Sequence, residues 1–397
     1  MSQPPPIPFH RHSIGEEEIQ EVVATLRSDW LTSGPRTARF EEDFREYAGA
    51  RHALAVSSGT AAMHLALAAL GIGPGDEVIT TPLTFASTVH VIVQCGATPV
   101  LADVGHDGNI DPESVARRIT PRTKALLPVH LGGLPCDMGR LWRLAAEHEL
   151  FVVEDAAHAA GTHTEAGPVG AGNGDPERQS DAVAFSFYVT KNLATGEGGM
   201  LTTPHESLAE KVKLLRLHGI DRDIWRRDSW RYAVSEGGFK YNLSDIQSAI
   251  GIHQLRKLEG FIAVRARYAE IYRELLAECG EIELPEAPRR GRHSWHLFPI
   301  RLRTESLAID RDEFIRQLGE AGIGASVHFI PIPLHPYFEF LAKEPRNACP
   351  RALELFPRLV SLPLYPAMSE ANVERVAAAV NSIVQTHKVR RAFAAGA

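Results

Sequence analysis

One lysine lies between an apolar run and a cluster of glycines in the segment FSFYVTKNLATGEGGM, residues 185–200. This residue, Lys191, follows the apolar run AVAFSF closely enough to sit near the edge of a buried sheet. Burial desolvates a lysine ammonium group and makes the amine a better nucleophile. Because most lysines are ordinary surface residues, Lys191 is a candidate catalyst only if groups of matching chemistry lie near it.

Asp155 has an equally unusual setting, because it ends the run FVVED. An isolated carboxylate at the end of a buried strand is costly unless a cation pairs with it. The ordinary alternative is that Asp155 caps the helix that follows. A protonated ring nitrogen would be a suitable partner for a permanently ionised aspartate.

Two further segments suit a planar, phosphorylated ligand. The segment SSGT, residues 57–60, precedes a predicted helix, so its N–H groups, a hydroxyl and the helix dipole could hold a phosphate. A simple helix cap is the alternative. Phe85, in TPLTF, could stack on a planar ring, although such an aromatic is more often part of the core. Phosphate cradle, stacking ring, carboxylate and reactive amine together are what a pyridoxal phosphate (PLP) site requires.

The elements that must position these residues alternate between strand and helix. The apolar runs HALAVSS, EVITT, TPVLADV, TKALLPVHL, FVVEDAA and AVAFSF are separated by helical segments. Such units predict an α/β fold with a parallel sheet covered on both faces by helices. Ligands bind outside the carboxyl ends of the strands in this kind of sheet. The residues expected to share one pocket are Ser57, Ser58, Gly59, Thr60, Thr84, Phe85, Asp155, His158, Ser186 and Lys191.

A smaller unit is predicted after about residue 260. Ser244 and Gln247 form a helix-capping pattern at the start of a long charged helix, and SWHLFPIRL and GASVHFIPIPL are predicted strands beyond it. Further helices are predicted after Arg311 and Ser369. The predicted division is a flexible N-terminal arm at 1–12, a large PLP-binding domain at 13–260 and a small C-terminal α/β domain at 261–397.

Composition limits the class of protein. The chain has 397 residues, 44% of them apolar and 23% charged, as expected of a globular protein with two domains. Its net charge of −7 argues against binding to nucleic acid, and no apolar run approaches the roughly 18 residues of a membrane span. We expect a cytoplasmic protein, because the proline-rich start lacks the apolar core of a signal peptide. The cysteines and histidines lack the spacing of metal ligands, so no metal is predicted.

The sequence resembles the DegT/DnrJ/StrS-type sugar aminotransferases, which are fold-type-I enzymes that use PLP. The resemblance extends from about Pro8 to Val384. Its motifs, in family order, are LTSGP, VSSGTAAMHLAL, GDEVITTPLTFAST, PVHLGGLPCDM, VVEDAAHAAGT, FSFYVTKNLATGEGGML, YNLSDIQSAIGIHQL, VHFIPIPLHPYF and SLPLYPAMS.

The resemblance implies roles for the residues around the cofactor ring. Lys191 would carry the Schiff base, Asp155 would pair with the pyridinium nitrogen, and Phe85 would stack on the ring. His158 stands where relatives have Gln or His near the ring hydroxyl.

Other matching residues are implied to hold the cofactor phosphate. Gly59, Thr60 and Ser186 would do so from the same subunit. Asn242, in KYNLSD, matches an asparagine that reaches the phosphate from the neighbouring subunit. The resemblance therefore implies a homodimer with composite sites.

The resemblance also implies the reaction, in which L-glutamate gives its amino group to a nucleotide-linked (UDP- or dTDP-) keto sugar. The motifs are most similar to those of relatives that aminate C4 of UDP-4-keto sugars. A 3-keto sugar, a cyclitol ketone and a regulator that binds PLP or a sugar without turnover remain alternatives. One charged segment could bind the nucleotide, with arginines holding the diphosphate and tryptophans stacking on the base. Its residues are Arg222, Arg226, Arg227, Arg231, Trp225 and Trp230. The alternative is a solvated charged loop.

Two departures from the family pattern stand out. Tyr188 replaces the histidine of many relatives, and AGNGDPERQS, residues 171–180, is a predicted surface insertion. Two other enzyme classes are disfavoured. GIGPGD, residues 71–76, follows a helix and precedes a strand, the reverse of a dinucleotide-binding turn. A dehydratase of the same fold would carry histidine in place of Lys191.

Overall fold

The computed structural model describes residues 5–171, 179–221, 232–287 and 291–389. The strands are β1 (His52–Val56), β2 (Glu77–Thr80), β3 (Thr98–Leu101), β4 (Thr123–Leu127), β5 (Phe151–Asp155), β6 (His163–Thr164), β7 (Gly167–Pro168), β8 (Ala182–Ser186), β9 (Gly199–Thr203), β10 (Ile282–Glu283), β11 (Phe298–Leu302) and β12 (Leu359–Leu362). The α-helices are α1 (Glu16–Leu26), α2 (Pro35–Ala48), α3 (Gly59–Ala69), α4 (Ala86–Gln94), α5 (Pro112–Ala116), α6 (Met138–Glu147), α7 (Glu206–Leu215), α8 (Asp245–Leu275), α9 (Arg311–Glu320), α10 (Glu339–Ala342), α11 (Pro350–Leu355) and α12 (Glu370–His387).

Within the described ranges, the large sheet has seven strands in the order β1-β9-β8-β5-β4-β2-β3. The strands β3, β2, β4, β5 and β8 run parallel. β9 is antiparallel to both of its neighbours, β1 and β8. The prediction of a mostly parallel α/β sheet is confirmed. β9 was not predicted, because its short run GMLTT directly follows a glycine cluster that is typical of a loop.

Helices cover both faces of this sheet, as β8 shows. Ala182 and Ala184 pack in one core cluster with α3 and α7, whereas Val183 and Phe185 pack in another with α2 and the start of α8. Successive side chains of a strand point to opposite faces, so this division places apolar cores on both sides. Because helices cover both faces, a ligand can reach this sheet only at the ends of its strands.

The long helix α8 joins the large sheet to a smaller unit. It begins with the predicted capping pair, in which Ser244 Oγ accepts from the Gln247 N–H. Leu258 packs in the core of the large unit, and Tyr272 packs in a second core with α9, α12 and β11. Residue 260 lies inside this continuous helix. The domain division at that residue stays a prediction.

The smaller sheet corrects one strand assignment. β10, β11 and β12 form an antiparallel sheet, and SWHLFPIRL supplies β11 as expected. GASVHFIPIPL forms no strand and has a single bridge, between Ser326 and Ser361 of β12. Pro331 and Pro333 remove backbone donors from this run, which prevents it from continuing a ladder.

The start of the chain packs on the smaller unit. Ile7 is buried, its N–H donates to the Gly322 carbonyl at 2.8 Å, and its carbonyl accepts from the Gly324 N–H at 2.8 Å. Whether residues 1–12 are flexible stays a prediction. Across the described ranges, no helix is both long and apolar enough to cross a membrane.

Candidate active site

A cavity of about 620 Å³ opens at the carboxyl ends of the large-sheet strands. Asp155 is the last residue of β5, Ser186 is the last residue of β8, and α3 begins just after β1. The predicted site residues that line the cavity are Ser58, Gly59, Thr60, Thr84, Phe85, Asp155, His158, Ser186 and Lys191. Ser57, which was expected in the same pocket, and Asn242 are not among the residues that line it. The rule that locates ligands at the strand ends therefore selects residues that the fold brings together.

Lys191 lies in the turn that follows β8, where its backbone N–H donates to the Tyr188 carbonyl at 2.8 Å. Its ammonium group makes no hydrogen bond or ion pair with the residues that the structure describes. Burial lowers the pKa of Lys191 to about 8, and the negative charge of Asp155 only partly opposes this shift. Roughly a tenth of the Lys191 side chains are then free amines at pH 7, far more than for a lysine of ordinary pKa, and a nucleophile requires this form.

Asp155 is a buried carboxylate held by hydrogen bonds. Thr88 Oγ1 donates to its Oδ2 at 2.8 Å, and the Ala157 N–H donates to its Oδ1 at 3.1 Å. Burial raises the pKa of Asp155, whereas these donors and the charge of Lys191 lower it. A protonated pyridine nitrogen would supply the cation that this carboxylate lacks.

Thr88 is a site residue that the sequence analysis missed. Its hydroxyl lies 2.8 Å from Thr84 Oγ1 and also reaches Asp155. Thr84 lies two residues before α4 and Thr88 lies in its first turn, so the two hydroxyls meet at the start of the helix. The spacing of the two threonines is the signal that could have identified Thr88.

The beginning of α3 offers a phosphate cradle. Ser58 Oγ accepts from the Ala61 N–H at 3.0 Å, while the amides of Gly59 and Thr60 have no partner within the described ranges. A Cβ atom at Gly59 would lie 2.9 Å from the Ser186 Cβ, so only glycine allows this approach of α3 to β8. Free amides at a helix N-terminus bind phosphate. The cradle, the desolvated amine and the buried carboxylate together fit PLP.

Phe85 lies at the mouth of the cavity and is not part of the core. Its side chain is 64% exposed, and its ring centroid lies 6.2 Å from that of Phe329. The alternative in which Phe85 is a core aromatic is therefore excluded. An exposed ring at this position has a free face on which a planar ligand can stack.

Histidines form another wall. His158 Nδ1 accepts from the Gly132 N–H at 3.2 Å, and its ring lies 4.4 Å from the His296 ring. Burial holds the pKa of His158 well below its usual value, so the ring is neutral and its proton is on Nε2. His296, His328 and Phe329 come from the smaller unit and were not predicted as site residues. Nothing in their local sequence links them to the ends of the large-sheet strands.

Asn242 lies beside β1 rather than in the cavity of its own chain. It forms a bridge with Val56, its Nδ2 donates to Ser33 Oγ at 2.7 Å, and its Oδ1 accepts from Lys240 Nζ. Tyr188 lines the cavity and is 45% exposed. Among the residues that the structure describes, the Tyr188 hydroxyl has no hydrogen-bond partner that would indicate its role.

Two sequence features fall wholly or largely outside the described residues. The arginine and tryptophan cluster of residues 222–231 is one of them, and residues 172–178 of the predicted insertion are the other. Within the described ranges, no group of three or more His, Cys, Asp or Glu side chains could hold a metal ion.

Known proteins share both this sequence and this fold. Residues 12–381 match the DegT/DnrJ/EryC1/StrS aminotransferase family. SpsC of Bacillus subtilis, a spore coat polysaccharide biosynthesis protein, is 46% identical over 385 residues, which cover 96% of this chain and 97% of SpsC.

Solved structures agree with the sequence match. Spr1654 of Streptococcus pneumoniae, a provisionally assigned sugar aminotransferase, has been solved in its PLP form and is 30% identical, with a TM-score of 0.88 over 96% of this chain and 99% of Spr1654. The same fold appears in DesV of S. venezuelae, which was solved in complex with a ketimine intermediate. DesV is 34% identical, with a TM-score of 0.86 over 96% of this chain and 98% of DesV. The chain thus belongs to the DegT/DnrJ/EryC1/StrS family and is a PLP-dependent aminotransferase.

Proposed function

We propose that this enzyme moves the amino group of L-glutamate to C4 of a nucleotide-linked (UDP- or dTDP-) 4-keto sugar. The observation that carries the proposal is the setting of Lys191, a desolvated amine in a cavity of about 620 Å³. Ligand sites commonly have volumes of roughly 300–1,000 Å³, so the cavity suits a bound substrate. The relatives named for sugar or polysaccharide chemistry support a sugar as the acceptor.

In this proposal each wall of the cavity holds one part of the cofactor. Gly59, Thr60 and Ser186 hold the phosphate through amides and hydroxyls at the start of α3 and the end of β8. Phe85 would cover one face of the ring, and Asp155 would pair with its nitrogen.

Each half of the reaction needs a proton to move between the amino-bearing carbon and the cofactor carbon that takes over the amino group. When bound, PLP would supply an electron-accepting ring that makes the amino-bearing carbon acidic. Lys191 takes the proton from one of these carbons and gives it to the other, because a pKa of about 8 leaves both protonation states populated near neutral pH. Asp155 keeps the ring nitrogen protonated, and the neutral His158 presents an Nε2 proton inside the cavity.

The proposal includes a cytoplasmic homodimer with composite sites. Asn242 is partly exposed and lies outside the cavity of its own chain, as expected of a residue that serves a neighbouring subunit. Its family counterpart binds the phosphate of the other subunit. The 64% exposure of Phe85 in the isolated chain also suits a site that a second subunit helps to close.

The test separates the donor and acceptor halves of the reaction. Purified holoenzyme is mixed with L-glutamate, and 2-oxoglutarate and the cofactor absorbance are followed. UDP- and dTDP-linked 4-keto and 3-keto sugars and a cyclitol ketone are then added, and the amine products are identified by mass spectrometry. Amination of a 4-keto sugar nucleotide is expected. Amination of only a 3-keto sugar or a cyclitol, or of no sugar nucleotide, would overturn the proposal.

A further inference from the structure

The residue after the catalytic lysine joins its turn to the smaller unit. Asn192 is only 5% exposed, and its Cα atom lies about 3.8 Å from that of Lys191 along the chain. Its Nδ2 donates to the Ser294 carbonyl at 3.0 Å, and its Oδ1 accepts from His296 Nδ1 at 3.2 Å. The amide therefore uses both of its ends on the segment that leads into β11, the central strand of the smaller sheet.

The segment that receives Asn192 is a turn of fixed shape. Trp295, between the two partners, has a backbone φ of 50°. This left-handed conformation is rare for a bulky residue and persists only where neighbours hold it. His293 Nδ1 accepts from the Trp295 N–H at 2.8 Å, and the two rings stack with centroids 4.0 Å apart. We call Ser294–His296 the anchor turn.

Arg265 of α8 holds the anchor turn from the side of the long helix. This arginine is 1% exposed, and its Nη1 donates to the carbonyls of Trp295 and His296 at 3.3 Å each and of Leu364 at 2.5 Å. Hydrogen bonds from a charged donor are stronger than those between neutral groups. The anchor turn is therefore fixed to α8, the helix that also packs in the core of the large unit.

The anchor turn also contacts the residues around His158. Ser294 Oγ donates to the His158 carbonyl at 3.0 Å, and the Ser294 N–H donates to the Gly133 carbonyl at 3.3 Å. A Cβ atom at Gly133 would clash with Ser294 Oγ, so this close packing requires glycine. One turn of the smaller unit thus contacts both the backbone of His158 and the neighbour of Lys191.

Lys191 needs such support, because nothing holds the far end of its side chain. Its ammonium group has no hydrogen-bond partner among the described residues, and a lysine side chain is a flexible four-carbon stem. The position of the amine before the cofactor binds therefore depends on where the turn places the Lys191 Cα atom. A misplacement of about 1 Å can slow a reaction roughly 100-fold.

We propose that Asn192 is a positioning residue, which joins the turn of Lys191 to the anchor turn so that the amine meets the aldehyde carbon of PLP in a reactive geometry. Asn192 does not line the cavity and so acts through Lys191. This inference rests on the role of Lys191 in the proposed function and is independent of the sugar that accepts the amino group.

Covalent and non-covalent binding of the cofactor separate positioning from folding. Cofactor-free, full-length enzyme is mixed with PLP, and attachment to Lys191, which releases one water, is trapped with borohydride at successive times. Pyridoxine 5′-phosphate carries an alcohol in place of the aldehyde, so its affinity, measured by calorimetry, reports on the site without the covalent bond. Asn192→Ala should slow attachment at least about tenfold and change the affinity for pyridoxine 5′-phosphate less than about twofold. Rates are compared on the high-pH plateau of each protein, where the amine is free.

Asn347 supplies the matched control. It is also 5% exposed, its Oδ1 accepts from the Leu101 N–H at 2.9 Å, and its Nδ2 donates to the Leu341 carbonyl at 3.3 Å, away from the cavity. Asn347→Ala should therefore lose a comparable pair of hydrogen bonds and keep the wild-type attachment rate. If Asn192→Ala does not fold, Asn192→Ser, whose hydroxyl cannot span both partners, replaces it with the same expected result.

Attachment at the wild-type rate in the Asn192 variant would overturn the inference. So would equal losses of attachment and of pyridoxine 5′-phosphate affinity, or an equal slowing in Asn347→Ala, since each would indicate a merely structural role. Failure of the proposed function is a separate result, because neither measurement includes glutamate or a sugar.

Discussion

His130 Nε2 lies 2.6 Å from Glu154 Oε2, and both side chains are buried behind the strand end that carries Asp155. The direction of this bond is fixed, because the Cys136 N–H donates to His130 Nδ1 at 3.1 Å. The imidazole proton is therefore on Nε2, and Glu154 accepts it. The backbone N–H of His130 also donates to the Asp155 carbonyl at 3.2 Å. The buried pair therefore supports the end of β5, the strand that carries Asp155.

Glu154→Gln should destabilise the protein by about 1–3 kcal/mol, because one buried donor would lose its acceptor. Ser180 Oγ donates to the other oxygen of Glu154 at 2.5 Å, so a glutamine amide cannot accept from both neighbours. Urea unfolding at a fixed PLP concentration measures the change in the free energy of unfolding. Glu147→Gln alters an exposed carboxylate at the end of α6 and should change stability by less than about 0.5 kcal/mol. Equal effects of the two substitutions would contradict a structural role for the buried pair.

Lys191→Ala should abolish covalent attachment of the cofactor and slow the glutamate half-reaction by at least about 100-fold, since the residue supplies both the nucleophile and the proton carrier. Borohydride treatment followed by peptide mass spectrometry checks the attachment. Wild-type enzyme should carry the cofactor mass on the Lys191 peptide, and the variant should carry none. Attachment to another lysine in wild type would show that Lys191 has been wrongly assigned.

The rate at which cofactor-free enzyme takes up PLP covalently should depend on pH through Lys191. Burial lowers the pKa of this lysine to about 8, so the free amine increases as the pH rises and is nearly complete above that value. The uptake rate should therefore be half-maximal near pH 8 and level off about one pH unit above it, below the range in which an ordinary lysine titrates. Asp155→Asn removes the negative charge that raises the pKa of Lys191, so it should move this plateau to lower pH. A plateau that stays in place or moves upward would contradict the electrostatic coupling.

Thr88→Val should impair Asp155 while preserving the shape of the side chain. The Thr88 hydroxyl donates to Asp155 Oδ2 and lowers the pKa of that carboxyl, so its loss should raise the pKa. Activity that depends on ionised Asp155 is lost as the pH falls, and in Thr88→Val this loss should begin at higher pH. The measurement is the pH profile of the glutamate half-reaction. Thr98→Val, at an exposed position at the start of β3, is the matched control and should keep the wild-type profile.

The sequence was sufficient to locate the centre of the site and insufficient to predict its outer walls. Asp155 and Ser186 end predicted strands, and parallel strands bring their carboxyl ends to one edge of the sheet. The local pattern of apolar strands therefore predicts where Asp155 and Ser186 lie. Asn242 was identified only by resemblance, because no periodicity links it to the strand ends.

The outer walls depend on contacts between distant parts of the chain. His296 and His328 belong to the smaller unit that follows α8, and both line the cavity. The sequence near these histidines does not predict that the smaller unit lies beside the strand ends of the large sheet. Phe9 and His10 follow a proline-rich start that is typical of an unpacked arm, yet the backbone of Ile7 pairs with the smaller unit. β9 was missed for a related reason, since its pairing with β1 is set by the turn through the glycine cluster.

The composite site leads to a complementation test in which two inactive variants restore activity. Lys191→Ala removes the amine from one chain, and Asn242→Asp places a carboxylate where the phosphate of the neighbouring site should bind. If Asn242 serves the other subunit, a mixed dimer has one complete site, with Lys191 from one chain and Asn242 from its partner. Random assortment of equal amounts makes about half of the dimers mixed, so co-expression should restore about a quarter of wild-type activity. If Asn242 served its own chain, both sites of a mixed dimer would be defective, and the mixture would be no more active than the two variants alone.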